Sequence, residues 1–172
     1  MKKFIMLGYM GSGKSTVGKL LAKTINFPYK DLDEIIEMGA NLSINKIFEQ
    51  KGELFFRKLE TQILAEIMQS QQSFVLSLGG GTPCYGKNLD LIKTHNATSI
   101  YLKVPLKLLA ARLTKENQKR PLLKNLGEVT IEEFIAKHIF ERGHYYSQAT
   151  RIITGENKTP EEIVAEIMNY SK

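Results

Sequence analysis

The chain has 172 residues, of which 42% are hydrophobic and 24% are charged, a composition typical of one globular domain. Its single cysteine, Cys84, excludes an internal disulfide, and no apolar run approaches the roughly 20 residues of a membrane-spanning helix. The net charge of +6 is spread along the chain without a dense basic block. We therefore expect a cytoplasmic protein of one domain, residues 1–172, that binds small anions rather than nucleic acid or membranes.

The first predicted elements are a strand, a glycine-rich loop and a helix. Residues 4–7 form a short apolar run typical of a buried strand, and residues 8–15 read GYMGSGKS, which fits the phosphate-binding pattern G-x-x-x-x-G-K-[ST]. The residues that follow place Val17, Leu20 and Leu21 on one face of a helix. Glycines in such a loop let backbone N–H groups point at phosphate oxygens, and the helix N-terminus adds partial positive charge. The stretch predicts a nucleotide site in which Lys14 reaches the β- and γ-phosphates and Ser15 binds Mg²⁺.

Strand-like and helix-like segments then alternate, which predicts a five-stranded parallel sheet with helices on both faces. The other strands are expected at residues 28–33, 73–78, 99–104 and 151–153. Helices are expected at residues 35–38 (ended by Gly39), 42–50 (capped by Ser43 and stopped by Gly52), 53–68, 89–93, 105–112 and 130–145, and from Thr159 onwards. Residues 114–121 are polar and predict a mobile lid loop.

The predicted strand at residues 28–33 ends in two carboxylates, Asp31 and Asp33. Alternate strand positions face the same side, and ligands of open α/β sheets bind at the carboxyl ends of strands. One carboxylate is then available to Mg²⁺ and the other to an acceptor hydroxyl. Many phosphate-loop proteins place an Asp for Mg²⁺ where this chain has Ser77, so we assign that role to Asp31.

Two further motifs are candidates for recognising the phosphate acceptor. Arg57 and Glu60 lie three residues apart in a predicted helix, so Glu60 can hold the guanidinium for two-pronged binding of a carboxylate. The alternative is an ordinary surface ion pair. Residues 79–81 are three glycines after a buried strand, and they allow the backbone to approach a ligand closely.

Two other arginines complete the positive charge. Arg120, in the predicted lid, can close over the γ-phosphate and exclude water, and Arg142 lies on the long helix. For either residue the alternative is a solvated surface charge. The three histidines show no metal-ligand spacing and are predicted to be structural, and a core-plus-surface role is predicted for the adjacent Tyr145 and Tyr146.

Taken in this order, the motifs resemble the shikimate kinase family over nearly the whole chain. The phosphate loop alone is common to many kinases, whereas the other motifs are far more specific. The matching segments are GYMGSGKST at residues 8–16, DLD at 31–33, SI at 43–44, IF at 47–48, GE at 52–53, FRKLE at 56–60, LGGG at 78–81, RPLL at 120–123 and ER at 141–142 with Tyr145.

The resemblance implies a P-loop kinase of the nucleoside monophosphate kinase-like type. Its substrate-binding region would span about residues 33–61 and its lid about residues 113–127. The implied reaction is transfer of the γ-phosphate of ATP to the 3-hydroxyl of shikimate, with Mg²⁺ as cofactor, on the route to chorismate and aromatic amino acids. We expect a monomer whose ligands are ATP and shikimate.

Residue roles carried over by position divide into an acceptor set and a nucleotide set. The shikimate-binding residues would be Asp33, Arg57, Gly79, Gly80, Gly81 and Arg142. The nucleotide-binding residues would be Gly11, Ser12, Gly13, Lys14, Ser15, Thr16, Arg112, Arg120 and Lys158. Asp33 would act as base, while Lys14 and Arg120 would stabilise the transferring charge. Ser15 and Asp31 would organise Mg²⁺.

Three alternatives stay open at this point, one of which is a nucleotide-binding module that has lost catalysis although Lys14, Ser15 and Asp33 are all present. Another small-metabolite kinase, such as a gluconate kinase, has a similar architecture but does not need two arginines arranged for a carboxylate. A nucleotide-dependent switch or nucleic-acid-binding ATPase is favoured by the isoelectric point of about 9.3, and it predicts an Asp in place of Ser77.

Overall fold

The computed structural model describes residues 1–116 and 129–170. Five strands form one parallel sheet in the order β2-β3-β1-β4-β5. The strands are β1 (Lys3–Leu7), β2 (Tyr29–Asp31), β3 (Phe74–Ser77), β4 (Thr98–Lys103) and β5 (Arg151–Thr154). The helices within the described ranges are α1 (Lys14–Ile25), α2 (Leu32–Ala40), α3 (Ile44–Gln69), α4 (Asn88–Thr94), α5 (Leu106–Glu116), α6 (Ile131–Tyr146) and α7 (Pro160–Asn169), with a 3₁₀ turn at Thr82–Cys84. The predicted five-stranded parallel sheet is confirmed.

Both faces of the sheet are buried under helices. Phe4 and Met6 of β1 lie in one hydrophobic cluster with α1, α5, α6 and α7, and Ile5 and Leu7 lie in a second cluster with α2, α3 and α4. Successive side chains of a strand point to opposite faces, so a strand in the middle of such a sheet must be apolar at every position. This explains the continuous apolar runs in β1 and β3. Among the described residues, no helix is both long and apolar enough to span a bilayer.

The structure corrects the expected strand at residues 28–33. β2 ends at Asp31, and Asp33 lies in the first turn of α2, so the two carboxylates do not occupy alternate strand positions. The reason is helix capping: Asp31 Oδ1 accepts a hydrogen bond of 3.1 Å from the backbone N–H of Asp33. The helix is also longer than expected: it is capped by Asn41, whose φ of 52° is left-handed, rather than ended by Gly39.

As predicted, Gly52 separates two helical stretches, which follow each other within α3. Its φ of 78° and ψ of 168° kink the chain, and the helix then resumes. The predicted cap Ser43 is confirmed, because its hydroxyl accepts a hydrogen bond from the backbone N–H of Lys46. Capping boxes at Thr130 and Thr159 begin α6 and α7, where the sequence predicts helices to start.

Candidate active site

A cavity of about 560 Å³ lies at the carboxyl ends of β1, β2 and β3. It is lined by residues of the phosphate loop and the start of α1, and by Asp31, Asp33, Gly79, Gly80, Arg112 and Lys158. The predicted nucleotide residues that the structure describes therefore share one cavity with Asp33, Gly79 and Gly80 of the predicted acceptor set, as expected where parallel strands end.

The phosphate loop has a conformation that requires glycine. Gly8, Gly11 and Gly13 have φ values of 144°, 77° and 93°, and a Cβ at Gly8 would lie 2.8 Å from the carbonyl oxygen of Leu102. The buried Ser12 hydroxyl has no hydrogen-bond partner among the described residues, which is the feature expected of a group that awaits a ligand oxygen. The loop and the N-terminus of α1 thus fit a phosphate chain.

Two cationic side chains touch the loop from different sides. Lys14 Nζ donates a hydrogen bond of 2.9 Å to the carbonyl oxygen of Tyr9. Arg112 of α5 donates from Nη1 to the carbonyl oxygens of Gly11 at 3.1 Å and Ser12 at 3.4 Å. Arg112 therefore braces the loop as well as lining the cavity.

Ser15 and Asp31, the predicted magnesium residues, lie together. Ser15 Oγ is 3.2 Å from Asp31 Oδ2, and that oxygen also accepts a hydrogen bond of 3.1 Å from the Tyr29 hydroxyl. In the described part of the chain there is no cluster of three or more His, Cys, Asp or Glu that suits a metal. Mg²⁺ beside phosphates needs only one or two protein oxygens, so the Ser15–Asp31 pair fits it. Ser77 is buried and its Oγ donates to the carbonyl oxygen of Lys14 at 3.4 Å, so its hydroxyl faces the backbone of α1.

Asp33 has an unusual environment for a carboxyl group. Burial raises its pKa to about 6, and the negative charges of Asp31 and Glu60 act in the same direction while Lys14 opposes them. Its carboxylate lies against Gly79, where a Cβ would be 3.0 Å from Asp33 Oδ1. A buried carboxyl group with a pKa of about 6, in the first turn of the helix that follows β2, is a candidate general base.

Each of the three consecutive glycines borders a different functional group. A Cβ at Gly79 would meet Asp33, and one at Gly80 would lie 3.4 Å from the backbone nitrogen of Met10 and 3.6 Å from Arg142 Nη1. A Cβ at Gly81 would lie 3.3 Å from both terminal nitrogens of Arg57. None of the three has a positive φ, so the requirement is for space rather than for an unusual backbone conformation.

Arg57 is held by two carboxylates and one aromatic ring. The predicted contact with Glu60 is confirmed at 3.4 Å, and Glu53 Oε1 accepts further hydrogen bonds from Nε at 3.2 Å and Nη2 at 3.1 Å. The Tyr85 ring lies 3.7 Å from the guanidinium carbon. Glu60 is buried and in turn accepts a hydrogen bond of 2.7 Å from the Thr82 hydroxyl. The contact is therefore more than a surface ion pair.

Arg142 of α6 is held differently. Its guanidinium carbon lies 5.5 Å from the centre of the Tyr9 ring, whose hydroxyl is 2.9 Å from His138 Nδ1. The charges of Arg142 and Arg57 both lower the pKa of the Cys84 thiol, although burial outweighs them and raises it to about 11. The two guanidinium groups border adjacent residues, Gly80 and Gly81, and so lie on the same part of the molecule. A thiol with so high a pKa is not an activated nucleophile.

The remaining predicted residues have mixed outcomes. Lys158 lines the cavity, and its Nζ is 2.6 Å from Glu166 Oε2 of α7. Arg120 and the lid residues 117–127 lie outside the described residues. Tyr146 is buried, as predicted for one of the tyrosine pair, and its hydroxyl donates to the carbonyl oxygen of Gly80.

The sequence reasoning missed three residues: Glu53, Thr82 and Tyr85. Glu53 carried a signal, because it lies four residues before Arg57 in the predicted helix. Thr82 and Tyr85 carried none, since only the folded chain brings the segment after the glycines against α3.

Comparison with known proteins identifies the family. A family model described as shikimate kinase matches residues 10–172. A shikimate kinase of Flavobacterium psychrophilum is 48% identical over 167 residues, with 97% of each chain covered. The chain belongs to the shikimate kinase family. The predicted resemblance and the predicted ATP-dependent kinase activity are thereby confirmed, and the switch and gluconate kinase alternatives are not supported.

Two solved shikimate kinases share the whole fold. The crystal structure of the enzyme from Bacteroides thetaiotaomicron has a TM-score of 0.90 and 30% identity, with 99% of this chain and 98% of that chain covered. The enzyme from Acinetobacter baumannii, solved in complex with shikimate, has a TM-score of 0.87 and 28% identity, with 99% and 93% covered. The shikimate kinase fold therefore extends over nearly all of this chain.

Proposed function

We propose that this chain transfers the γ-phosphate of ATP to the 3-hydroxyl of shikimate, giving shikimate 3-phosphate and ADP, with the residues described above in the roles that follow. The observation that carries this proposal is the glycine segment 79–81, which borders the phosphate loop, Asp33, Arg57 and Arg142 within three residues. Donor and acceptor groups are thus packed around one short segment, and phosphoryl transfer depends chiefly on such placement.

On the donor side, backbone N–H groups of residues 11–16 and the Ser12 hydroxyl bind the phosphates. Lys14 leaves the Tyr9 carbonyl to reach the transferring phosphoryl group, and Arg112 and Lys158, which line the same cavity, are proposed to contact the base and ribose of ATP. Ser15 and Asp31 would hold Mg²⁺, which when bound supplies positive charge to the β- and γ-phosphate oxygens. Arg120, outside the described residues, is proposed to add charge to the γ-phosphate.

On the acceptor side, Arg57 and Arg142 bind the shikimate carboxylate. Three of the five N–H donors of Arg57 are engaged by Glu53 and Glu60 within the described residues. One N–H therefore remains on each terminal nitrogen, and these two N–H groups suit bidentate binding of a carboxylate. Both arginines and Asp33 come from one copy of the chain, which is consistent with a monomer, and residues 33–61 supply Asp33, Arg57 and Glu60.

Asp33 acts as the general base. With a pKa raised only to about 6, its carboxylate is ionised at neutral pH and still basic enough to accept a proton. It takes the proton of the 3-hydroxyl while that oxygen bonds to the γ-phosphorus, and the bond from this phosphorus to the β-phosphate oxygen breaks to release ADP.

The test measures ADP release with shikimate, gluconate and AMP as acceptors. Shikimate alone is expected to stimulate release, and the absence of stimulation by shikimate would refute the proposal. The Arg57→Ala variant is expected to raise the KM for shikimate roughly 10- to 100-fold, because it removes hydrogen bonds to a charged group, and to leave the KM for ATP within about twofold.

Lys58→Ala is the matched control, because it removes a positive charge from the neighbouring exposed position of the same helix. It is expected to change neither KM. An equal rise of the KM for shikimate and the KM for ATP in Arg57→Ala would argue against binding of the carboxylate by Arg57.

A further inference from the structure

Tyr85 lies directly after the 3₁₀ turn at Thr82–Cys84 and covers one face of Arg57. We propose that Tyr85 is a positioning residue for shikimate: it holds the Arg57 guanidinium in the orientation that binds the carboxylate, without touching the substrate itself. This inference rests on the proposed role of Arg57.

The first observation is the closeness of the ring. The guanidinium carbon of Arg57 lies 3.7 Å from the centre of the Tyr85 ring, against 5.1 Å for Phe56 and 6.0 Å for Phe48. A cation this close to an aromatic face is attracted by the ring electrons. The Arg57 side chain is 18% exposed although it lies near the surface. Tyr85 is thus the aromatic residue that most restricts the guanidinium plane.

The second observation is a shared oxygen atom. Glu53 Oε1 accepts a hydrogen bond of 3.1 Å from the Tyr85 hydroxyl and also the two hydrogen bonds from Nε and Nη2 of Arg57. The Glu53 side chain is 55% exposed, and an exposed ion pair by itself orients an arginine only weakly. The Tyr85 hydroxyl fixes this carboxylate, so the ring and the hydroxyl act together on the same guanidinium.

The third observation is how the chain delivers the ring. The Thr82 carbonyl oxygen accepts a hydrogen bond from Asn88 Nδ2 at 2.9 Å, and Gly86 leaves the turn with a φ of 54°. The Thr82 hydroxyl holds Glu60, and the Tyr85 hydroxyl holds Glu53. One short segment therefore secures Arg57 from both sides, through the carboxylates that precede and follow it in α3.

These contacts leave the two N–H groups opposite Glu53 and Glu60 for the substrate. Without Tyr85, Glu53 is free to turn into solvent, and Arg57 gains rotamers that point away from the site. The loss is expected in shikimate binding, because the ring and the hydroxyl of Tyr85 contact Arg57 and Glu53.

The test compares Tyr85→Phe, which keeps the ring, with Tyr85→Ala, which removes ring and hydroxyl. The KM for shikimate is expected to rise about threefold in Tyr85→Phe and roughly 10- to 30-fold in Tyr85→Ala, with the KM for ATP within about twofold of wild type. Tyr170→Ala is the matched control, because Tyr170 is also exposed and its ring lies 5.4 Å from an arginine, Arg151. Arg151 begins β5, whereas the glycine segment follows the end of β3, so the two lie at opposite ends of the parallel strands. The control is expected to change neither KM.

The double variant Arg57→Ala/Tyr85→Ala separates positioning from direct contact. If Tyr85 acts through Arg57, its removal lowers kcat/KM for shikimate in the wild-type background and has no further effect once Arg57 is absent. Additive losses, or a Tyr85→Ala variant with an unchanged KM for shikimate, would overturn the inference. If Tyr85→Ala does not fold, the same cycle with Tyr85→Phe decides between these outcomes.

The two proposals fail in different ways. If wild-type protein shows no shikimate-dependent ADP release, or if Arg57→Ala raises the KM for shikimate and the KM for ATP equally, the proposed function of the site is wrong. If Arg57→Ala raises only the KM for shikimate while both Tyr85 variants have wild-type KM values, only the proposed role of Tyr85 is wrong.

Discussion

The phosphate-donor half of this site is formed mainly by backbone groups, and the phosphate-acceptor half is formed mainly by side chains. The donor half is a loop of eight consecutive residues whose backbone, turned by Gly8, Gly11 and Gly13, supplies most of the phosphate contacts. The acceptor half consists of side chains from α2, α3, the segment after β3, and α6. The first depends on local conformation, and the second depends on packing between elements far apart in sequence.

This difference separates their expected responses to substitution. A substitution in the acceptor half is expected to affect shikimate binding and the chemical step. A substitution of a residue that braces the phosphate loop is expected to affect ATP binding. The two halves meet at Gly79 and Gly80, which contact Asp33 and the loop backbone respectively.

The largest effect is expected from Asp33→Asn. An amide cannot accept the proton of the acceptor hydroxyl, so kcat is expected to fall by about 10²- to 10⁴-fold. The KM for ATP is expected to stay within about twofold, because the loop is untouched. Steady-state kinetics with both substrates measures this, and a comparable loss of ATP binding would break the separation between the halves.

The same carboxyl group makes stability depend on pH. Its pKa in the folded protein is about 6 against an ordinary value of 3.8, so the folded state binds more protons in that interval. The free energy of unfolding of the ligand-free protein is therefore expected to fall as pH rises through this window. At about pH 8, Asp33→Asn is expected to be more stable than wild type by on the order of 1–3 kcal/mol. Urea unfolding at several pH values checks the sign, and no gain in stability would contradict the assigned environment.

A smaller effect with the opposite selectivity is expected from Arg112→Ala. The variant removes hydrogen bonds to the carbonyl oxygens of Gly11 and Ser12, so the loop loses its brace. The KM for ATP is expected to rise roughly tenfold while the KM for shikimate stays the same. Lys107→Ala, at an exposed position of the same helix, is the control. A rise in the KM for shikimate alone in Arg112→Ala would show that substitutions in the donor half also affect binding in the acceptor half.

The smallest functional effect is expected from Thr82→Val, which keeps the shape of the side chain and removes its hydroxyl. Glu60 then loses a buried hydrogen bond, and the free energy of unfolding is expected to drop by about 1–3 kcal/mol. The KM for shikimate is expected to rise about threefold as Arg57 loosens. Thr82→Ser should retain wild-type behaviour, and equal damage in the two variants would assign the effect to the methyl group instead.

Much of the donor half was predictable because its signal is contiguous. The pattern at residues 8–15 specifies glycines, lysine and serine at spacings that have one structural solution between a strand and a helix. The sheet was predictable for a similar reason, since apolar runs and capping residues such as Thr130 and Thr159 act locally. The pairing of Arg57 with Glu60 was also local, because helical spacing alone brings them together.

The errors lie where two local signals compete. Asp31 ends a strand and also caps a helix. Residues 32 and 33 are helical rather than extended because the capping hydrogen bond to Asp33 starts α2, which buries Leu32 and Ile36. Gly39 looked like a helix end, but Asn41 takes the left-handed position and the helix continues for two more residues, to Ala40.

By itself, the sequence determined that this chain forms a five-stranded parallel sheet with a phosphate loop, and its ordered motifs determined the family. Only the tertiary structure decided that Thr82 and Tyr85 hold Arg57 through Glu60 and Glu53, and that Arg142 lies over Tyr9. The physical reason is that periodicity and capping are encoded within a few residues. Contacts between a loop and a distant helix exist only once the hydrophobic faces have packed.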